Sequence, residues 1–312
     1  MLMRPTFNYT GVIPILATPF NDDESLDLDS LARIVEFNAS VGVDGVTVLG
    51  LLGESNRLTD EERTDIVGCA VEAAGSLPVI VGTSHTGTAA TIALSDQALQ
   101  LGATAVMITP SAQPVPSDKA VIEYFERIAR EFPGAIVLQD HPAISQVHMS
   151  VDLILRLVRE IPTIVAIKAE ALPSPARIGA LKKGMAEGRR VPVLTGLGGL
   201  YGLFDLERGS DGFNTGFAFP EVLIAIVRAH RDGDEEMARA LYERYLPLIV
   251  FEQQPGVAIR KEILRRRGLL RSNRVRHPGA TIDPMAAAQL ERLLNATFDG
   301  APIDAQLMVT AG

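Results

Sequence analysis

Short apolar runs recur along the chain at intervals of about 20 to 35 residues, and this recurrence most strongly constrains the fold. Eight runs have the length of a strand, and most are nearly continuous in Val and Ile. Such continuity is typical of strands that are buried on both faces of a parallel sheet. The runs cover residues 12–17, 45–49, 79–82, 105–108, 136–138, 164–167, 191–194 and 212–215.

Helical patterns separate these runs. Thr59 with Glu62 three residues later has the signature of a capping box, and Ser30 precedes an apolar stripe as the cap of an earlier helix. Alternating strands and helices require a parallel sheet with right-handed crossovers. Eight units favour an α/β fold closed into a TIM (β/α)8 barrel over an open doubly wound sheet.

The chain of 312 residues is longer than the roughly 250 residues of a typical barrel of this kind. Helical patterns at 235–251, 256–267 and 284–298 follow the last expected barrel helix, near 221–231. We therefore predict a barrel over residues 1–235 and a C-terminal helical extension over residues 236–312.

The formal net charge of -9 argues against a nucleic-acid partner, because phosphate binding needs clustered Lys and Arg. One basic run, Arg260 to Arg271, is interpreted as a solvated helix face or a subunit contact. The single cysteine, Cys69, suggests a reducing compartment, and no apolar window is long enough for a membrane helix or a signal peptide. The expectation is a cytoplasmic protein with no membrane partner.

Reacting groups of such a barrel lie at the C-terminal ends of its strands. Lys168 ends the apolar run 163–167, where a protonated ammonium is costly to desolvate. A neutral amine can attack a carbonyl and form an imine. The residues alone leave an alternative open, in which Lys168 reaches solvent or forms a salt bridge with Glu170.

Metal and nucleotide chemistry find little support in the sequence. The five histidines lack the paired helical spacing of metal ligands, and no second cysteine is present, so we expect no metal and no other cofactor. In the segment 196–202 the third glycine falls one position late for a dinucleotide fingerprint. Gly196 and Gly198 then either bring backbone amides near a substrate carboxylate or form a plain tight turn.

Taken together, several motifs resemble the dihydrodipicolinate synthase and N-acetylneuraminate lyase superfamily of Schiff-base barrels. They are GVIPILATPF at 11–20, GLLGES at 50–55 followed by LTDEER, the IK at 167–168, the glycine turn and the C-terminal helices. The resemblance implies that Lys168 forms the Schiff base with a small 2-oxo acid. It also implies a homo-oligomer, either a tetramer or a dimer.

The sequence departs from the synthases of this superfamily at substrate-contacting positions. Leu51 and Leu52 replace two hydroxyl residues, so that only backbone amides remain there. Gln139 replaces the tyrosine that shuttles the proton, and an amide cannot act as an acid or base near neutral pH. Ile144 replaces the arginine that takes the carboxylate of the aldehyde substrate. Synthase activity is therefore doubtful.

The chain is similar to the L-2-keto-3-deoxyarabonate dehydratases, although Gly53 stands where they have serine. The similarity lies in the triplet 83–85, the Gln139-Asp140 pair with Pro142, the Lys168-x-Glu170 pattern, and the segments 246–249 and 276–278. The leading hypothesis is a lyase that dehydrates a 2-keto-3-deoxy sugar acid. Lys168 would form an imine at C2, a base would remove a C3 proton, and the enamine would expel the C4 hydroxyl. The alternatives are a pyruvate-dependent aldolase, 4-hydroxy-tetrahydrodipicolinate synthase activity, and a barrel that binds a 2-oxo acid without turning it over.

Lys168, Gln139 and Glu170 are the predicted catalytic residues, with Gln139 orienting the substrate or a water. Glu170 is the first candidate for the proton shuttle and Glu54 the second, while ordinary roles in a salt bridge or at a helix entry stay open for both. His141 and His148 are interpreted as loop residues. The predicted substrate-binding residues are Leu52, Gly53, Glu54, Ser84, His85, Gly196, Gly198 and Asn214.

Overall fold

A computed structural model describes residues 7–113, 116–254 and 256–303. All eight predicted strands are present and parallel; from β2 to β8 each strand pairs with the next along the chain, and β1 pairs with β8. The strands are β1 Gly11–Val12, β2 Val46–Val48, β3 Val79–Gly82, β4 Ala105–Ile108, β5 Ile136–Asp140, β6 Ile164–Ala169, β7 Val193–Thr195 and β8 Gly212–Phe213. A parallel bridge between Ile15 and Thr47 connects the segment after β1 to β2 and closes the sheet. The predicted TIM barrel is confirmed.

Helices follow the strands and continue into the C-terminal part, as predicted. The helices are α1 Leu28–Val41, α2 Asp60–Ala74, α3 Thr88–Gln100, α4 Asp118–Glu131, α5 Pro142–Ser145, α6 Val151–Glu160, α7 Ser174–Gly184, α8 Gly202–Glu207, α9 Pro220–Arg231, α10 Glu235–Phe251, α11 Val257–Arg266 and α12 Pro284–Thr297. No helix in these described segments is both long and apolar enough to span a bilayer.

The two helix starts predicted from the sequence had different outcomes. The capping box of Thr59 and Glu62 is present at the start of α2 and is confirmed. The prediction that Ser30 caps α1 is wrong, because the helix begins earlier, at Leu28. Asp27 is the cap, and its carboxylate accepts hydrogen bonds from the backbone N–H and the hydroxyl of Ser30. An aspartate caps as well as a serine, and this one lies one turn upstream.

The barrel interior is filled by side chains that alternate along the strands with those facing the helices. Ala105 and Met107 of β4 belong to the interior cluster, whereas Val106 and Ile108 pack against the helices. On β6, Ala166 lies in the interior cluster. Lys168, two residues further along this strand, therefore lies on the same inward face at its C-terminal end.

The C-terminal helices share the core that surrounds the barrel. The buried side chains of α10 and those of α9 belong to one continuous apolar cluster. The division between residues 235 and 236 stays a prediction. Parts of the two predicted regions, residues 1–6, 114–115, 255 and 304–312, lie outside the described residues.

The prediction that the basic run is a solvated helix face is wrong for three of its members. Arg260, Lys261 and Arg267 are buried, although Arg265 and Arg271 are exposed. Each buried cation meets a carboxylate, which offsets part of the cost of removing both charges from water. The pairs are Arg260–Glu252 at 2.9 Å, Lys261–Glu54 at 2.5 Å and Arg267–Glu221 at 2.5 Å.

Candidate active site

Lys168 lies at the C-terminal end of β6, opposite Gln139 of β5 in the register of the sheet. The side chain is almost fully buried, with 4% of the residue exposed. Its Nζ lies 3.3 Å from Oε2 of Glu170. The three residues predicted to be catalytic are therefore neighbours, and both the imine role and the salt bridge weighed from the sequence agree with this geometry.

The carboxylate of Glu170 is held by contacts at both oxygens. Oε2 accepts a hydrogen bond from Nε2 of Gln139 at 2.7 Å, and Oε1 accepts one from the backbone N–H of Leu197 at 3.1 Å. Burial by itself would raise the pKa of Glu170. The charge of Lys168, the nearby His141 and the two hydrogen bonds outweigh burial and lower this pKa below its ordinary value. Glu170 is therefore ionised near neutral pH.

The glycine turn after β7 supports Glu170 by leaving room for it. A Cβ on Gly196 would lie 2.1 Å from Cγ of Glu170, so any larger residue would displace that side chain. Gly198 adopts a positive φ of 68°, which glycine adopts without strain. The backbone N–H groups of residues 196, 197 and 198 already donate to Ala169 O, Glu170 Oε1 and Thr215 Oγ1. The geometry favours the tight-turn interpretation over amides offered to a substrate carboxylate.

A cavity of about 160 Å³ opens at the C-terminal ends of β2 to β5. The carboxyl ends of the strands are where the substrates of such barrels bind. The polar part of its lining consists of Ser55, Ser84, Thr109, Gln139 and His141. Lys168 and Glu170 are not lining residues, and Gln139 joins the cavity to their cluster through its hydrogen bond with Glu170.

Two predicted substrate-binding residues lie on the loop after β3. Ser84 lines the cavity, and its Oγ accepts a hydrogen bond from the backbone N–H of Thr109 at 2.9 Å. His85 is exposed and is not a lining residue. Its Nδ1 accepts a hydrogen bond from the backbone N–H of Gly87. The structure therefore supports a substrate contact for Ser84 more directly than for His85.

Of the two leucines on the loop after β2, Leu51 lines the cavity, whereas Leu52 was predicted to contact the substrate. Leu51 lines the cavity and is exposed, whereas Leu52 is half-buried and packs against both apolar clusters. The carbonyl oxygen of Gly53 accepts a hydrogen bond from Thr18 Oγ1 at 2.6 Å. Leu52 and Gly53 therefore contribute to the shape of this loop.

Glu54 is occupied by contacts within the protein. Its oxygens accept hydrogen bonds from Lys261 Nζ at 2.5 Å, from Arg57 at 2.8 Å and from the backbone N–H of Arg276 at 3.0 Å. The carboxylate is buried and connects the β2 loop to the C-terminal part of the chain. This favours the supporting role for Glu54 and leaves Glu170 as the candidate proton shuttle.

Asn214 is buried at the end of β8. Its Nδ2 donates hydrogen bonds to the carbonyl oxygen of Ile13 at 2.8 Å and to Thr47 Oγ1 at 2.9 Å. These bonds connect the strands where the barrel closes. The structure shows a role for Asn214 in closure, and Asn214 is not among the described residues that line the cavity.

Sequence analysis missed several residues that line the cavity. Thr109 was given no role, and His141 was interpreted as a loop residue. His141 directly follows β5 and precedes the four-residue helix α5. Ile144, on that helix, lines the cavity and is 53% exposed. The position after a predicted strand was the available signal for His141.

The sequence model of the Dihydrodipicolinate synthetase family matches residues 8–297. The chain belongs to this family. It is 33% identical to the L-2-keto-3-deoxyarabonate dehydratase of Azospirillum brasilense, over 93% of this chain and 95% of that protein. Family members of this kind are lyases of the class I aldolase type, and the chain is a lyase of this family.

Solved structures of the family share the barrel. Dihydrodipicolinate synthase from Rhodopseudomonas palustris has a TM-score of 0.88 and 35% identity, covering 92% of this chain and 97% of that one. A prophage protein of the same family from E. coli K12, solved in complex with pyruvate, has a TM-score of 0.86 and 29% identity, covering 93% of this chain and 99% of that one.

Within the described segments of this chain, no group of three or more His, Cys, Asp or Glu side chains could hold a metal ion.

Proposed function

We propose that this protein dehydrates a 2-keto-3-deoxy sugar acid, such as L-2-keto-3-deoxyarabonate, through a Schiff base on Lys168 and without a metal. The observation that carries this proposal is the buried Lys168 with the ionised Glu170 3.3 Å from its Nζ. The similarity to the Azospirillum dehydratase over nearly the whole chain supports the substrate class.

The reaction begins with the attack of the neutral Lys168 amine on the C2 carbonyl, which releases water. Glu170 is close enough to take up the proton that the ammonium must lose and to return it to the departing C2 hydroxyl, which restores the Glu170 carboxylate. The protonated imine withdraws electrons, so the carboxylate of Glu170 can remove a proton from C3. The enamine then expels the C4 hydroxyl, which leaves as water with the proton that Glu170 took from C3. A proton shift from C5 to C3 converts the C5 alcohol of the unsaturated imine into an aldehyde, and hydrolysis then releases 2-oxoglutarate semialdehyde and returns the Lys168 amine.

Gln139 has a positioning role in this mechanism. Its amide cannot exchange a proton at neutral pH, but it donates a hydrogen bond to the carboxylate that does. Gln139 also lines the cavity, so it contacts both the substrate space and the base. We infer that Gln139 holds Glu170 towards C3.

A pyruvate-dependent aldolase or a 4-hydroxy-tetrahydrodipicolinate synthase is the second candidate. The same enamine would cleave or form a carbon–carbon bond, and the E. coli relative binds pyruvate. The apolar Ile144 in the cavity lining weighs against a second substrate carboxylate, since it offers no charge to pair with one. A barrel that binds a 2-oxo acid without turnover is the third, and the buried Lys168–Glu170 pair weighs against it.

Borohydride trapping tests the Schiff base. The protein is incubated with pyruvate or with 2-keto-3-deoxy sugar acids and reduced, and the peptide containing Lys168 is examined by mass spectrometry. An adduct on Lys168 that is absent from Lys168→Ala is the expected result. No adduct with any of these acids would refute the imine mechanism.

Product analysis on the same panel separates the candidate reactions. A dehydratase produces 2-oxoglutarate semialdehyde from L-2-keto-3-deoxyarabonate, and an aldolase produces pyruvate and an aldehyde. Pyruvate as the main product would contradict dehydration.

We further propose that the protein is a cytoplasmic homotetramer or homodimer. The single cysteine and the family membership support this proposal. Light scattering during gel filtration would give the mass of the assembly, and a monomer at micromolar concentration would contradict it.

A further inference from the structure

Two side chains of the cavity lining have polar atoms with no partner. Thr109 Oγ1 and His141 Nδ1 are shielded from solvent, and neither atom has a hydrogen-bond partner in the described part of the chain. Both residues lie at the C-terminal ends of paired strands, Thr109 after β4 and His141 after β5. Both side chains line the cavity, and no contact in the described part of the protein holds either polar atom, so each side chain is free to turn that atom towards a ligand in the cavity.

Two other polar side chains of the cavity lining already make hydrogen bonds within the protein. Ser84 Oγ accepts a hydrogen bond from the backbone N–H of Thr109, and Gln139 Nε2 donates to Glu170. Thr109 and His141 differ from Ser84 and Gln139 in that Thr109 Oγ1 and His141 Nδ1 make no hydrogen bond within the described part of the chain. Together they can both donate and accept.

The character of the pair favours a neutral ligand group. Burial lowers the pKa of His141. The charge of Lys168 lowers this pKa further and the charge of Glu170 raises it, and the imidazole is neutral near pH 7. Among the described residues that line the cavity there is no Lys, Arg, Asp or Glu. Leu51 and Ile144 make another part of the lining apolar. A hydroxyl group fits this lining, whereas a second carboxylate would have no cation to pair with.

We propose that Thr109 and His141 bind a hydroxyl at the end of the substrate that lies away from the imine, and thereby select a hydroxylated tail. This inference rests on the proposed function, since the substrate carbonyl must be held at Lys168. Gln139, which lies opposite Lys168 in the sheet and two residues before His141, connects the reacting end to this second contact. The pair determines specificity and takes no part in the proton transfers.

Three variants test the assignment. Thr109→Val removes the hydroxyl and keeps the shape, His141→Leu removes the ring nitrogens, and Thr109→Ser restores a hydroxyl. The control is Thr163→Val, because Thr163 Oγ1 is also buried without a partner but precedes β6, at the opposite end of the barrel. Thermal unfolding of every variant is measured alongside.

The readout compares ligands with and without a tail hydroxyl. Borohydride trapping gives the concentration for half-maximal adduct formation with L-2-keto-3-deoxyarabonate, with 2-oxopentanoate and with pyruvate. Thr109→Val and His141→Leu should each raise this concentration about five- to tenfold for the sugar acid, as expected for one lost hydrogen bond to a neutral group. They should leave it unchanged for the other two acids. Thr109→Ser and Thr163→Val should behave like the unchanged protein.

The other outcomes contradict the inference in distinguishable ways. Equal losses for all three acids would show that the variants disturb the Lys168 cluster and that the pair does not select a tail. Unchanged values for the sugar acid would show that neither side chain binds it. If the unchanged protein formed no adduct with any acid, the proposed function would fail, and this inference with it.

Discussion

Glu170 combines a low pKa with restrained geometry. Its two oxygens are fixed by Gln139 and Leu197, and Lys168 lies beside it. A base held in this way is already ionised and oriented before the substrate arrives. The arrangement suits proton abstraction next to an imine.

Glu170→Gln should lower kcat for dehydration by about 10²- to 10⁴-fold, because the isosteric amide cannot accept the C3 proton. Imine formation uses Glu170 only to take up a proton that water can also accept, so the borohydride adduct with pyruvate should still form, although more slowly. Quenched-flow product assays and mass spectrometry measure the two effects. Retention of more than a tenth of kcat would assign the proton transfer to another group.

Asp205 illustrates how burial acts where no cation is close. The residue is buried in α8, and Ser174 donates a hydrogen bond to its carboxylate at 2.9 Å. Burial raises the pKa of Asp205 from 3.8 to about 6, although hydrogen bonds from Ser174 and Thr195 act in the opposite direction. Between these two values the folded state binds more protons than the unfolded state. The free energy of unfolding therefore falls as the pH rises from about 4 to 6.

Asp205→Asn should remove this part of the pH dependence. The contribution amounts to at most about 3 kcal/mol for a shift of this size, because each pKa unit corresponds to about 1.4 kcal/mol. Urea unfolding between pH 4 and 7 measures it, with the exposed Asp65→Asn as the matched control. A slope that is the same in both variants would contradict the assignment to Asp205.

Helix α11 is held on the barrel by ion pairs of its basic residues, which belong to the basic run 260–271. Lys261 is fully buried, and its Nζ donates hydrogen bonds to Glu54 and to the carbonyl oxygen of Arg274. The ammonium also lies 4.4 Å from the centre of the Phe20 ring. Burial lowers the pKa of Lys261 to about 8, and Glu54 acts against this shift. The pair joins α11 to the loop that carries Leu51 into the cavity.

Lys261→Met should lower the free energy of unfolding by about 3 kcal/mol, because it leaves the Glu54 charge buried with fewer partners. Adding Glu54→Gln should recover part of that loss, since the uncompensated charge is then removed. Chemical denaturation measures both variants. Lys119→Met is the matched control, because the Lys119–Glu123 pair is exposed and contributes little. A double variant less stable than Lys261→Met would contradict this account.

The barrel and the C-terminal helices depend on each other for burial. Side chains of α10, including Leu241, Tyr245 and Leu248, are buried in the cluster that also contains Leu223 and Ile226 of α9. Without α10 these apolar side chains of α9 would face water. The predicted boundary near residue 235 therefore marks a change in the pattern of elements, and we expect no independent folding unit on either side.

A chain ending at Gly233 should fail to form a stable barrel. Removing α10, α11 and α12 exposes the apolar side chains of α9 and leaves Glu54 and Glu221 without Lys261 and Arg267. Circular dichroism melts and gel filtration of the truncated and full chains measure the effect. A cooperative transition at the temperature of the full chain would instead show that the barrel folds without the extension.

The sequence by itself was sufficient for the strands, most helices and the position of Lys168. These features depend on local patterns, since a strand buried on both faces must be apolar along its length and its last residue reaches the open end of the barrel. The capping box at Thr59 is local in the same sense. The family motifs are also sequence patterns, and the family match confirms them.

The tertiary structure decided which polar groups are already occupied. Glu54 is paired with Lys261, which is more than 200 residues away in the chain, and the turn at 196–198 uses its amides within the protein. No local pattern reveals such pairings, because they depend on which distant segments the barrel brings together. The same reason explains why Thr109 and His141 were missed. Whether a polar atom is satisfied is a property of its surroundings in space, and only the folded chain provides those surroundings.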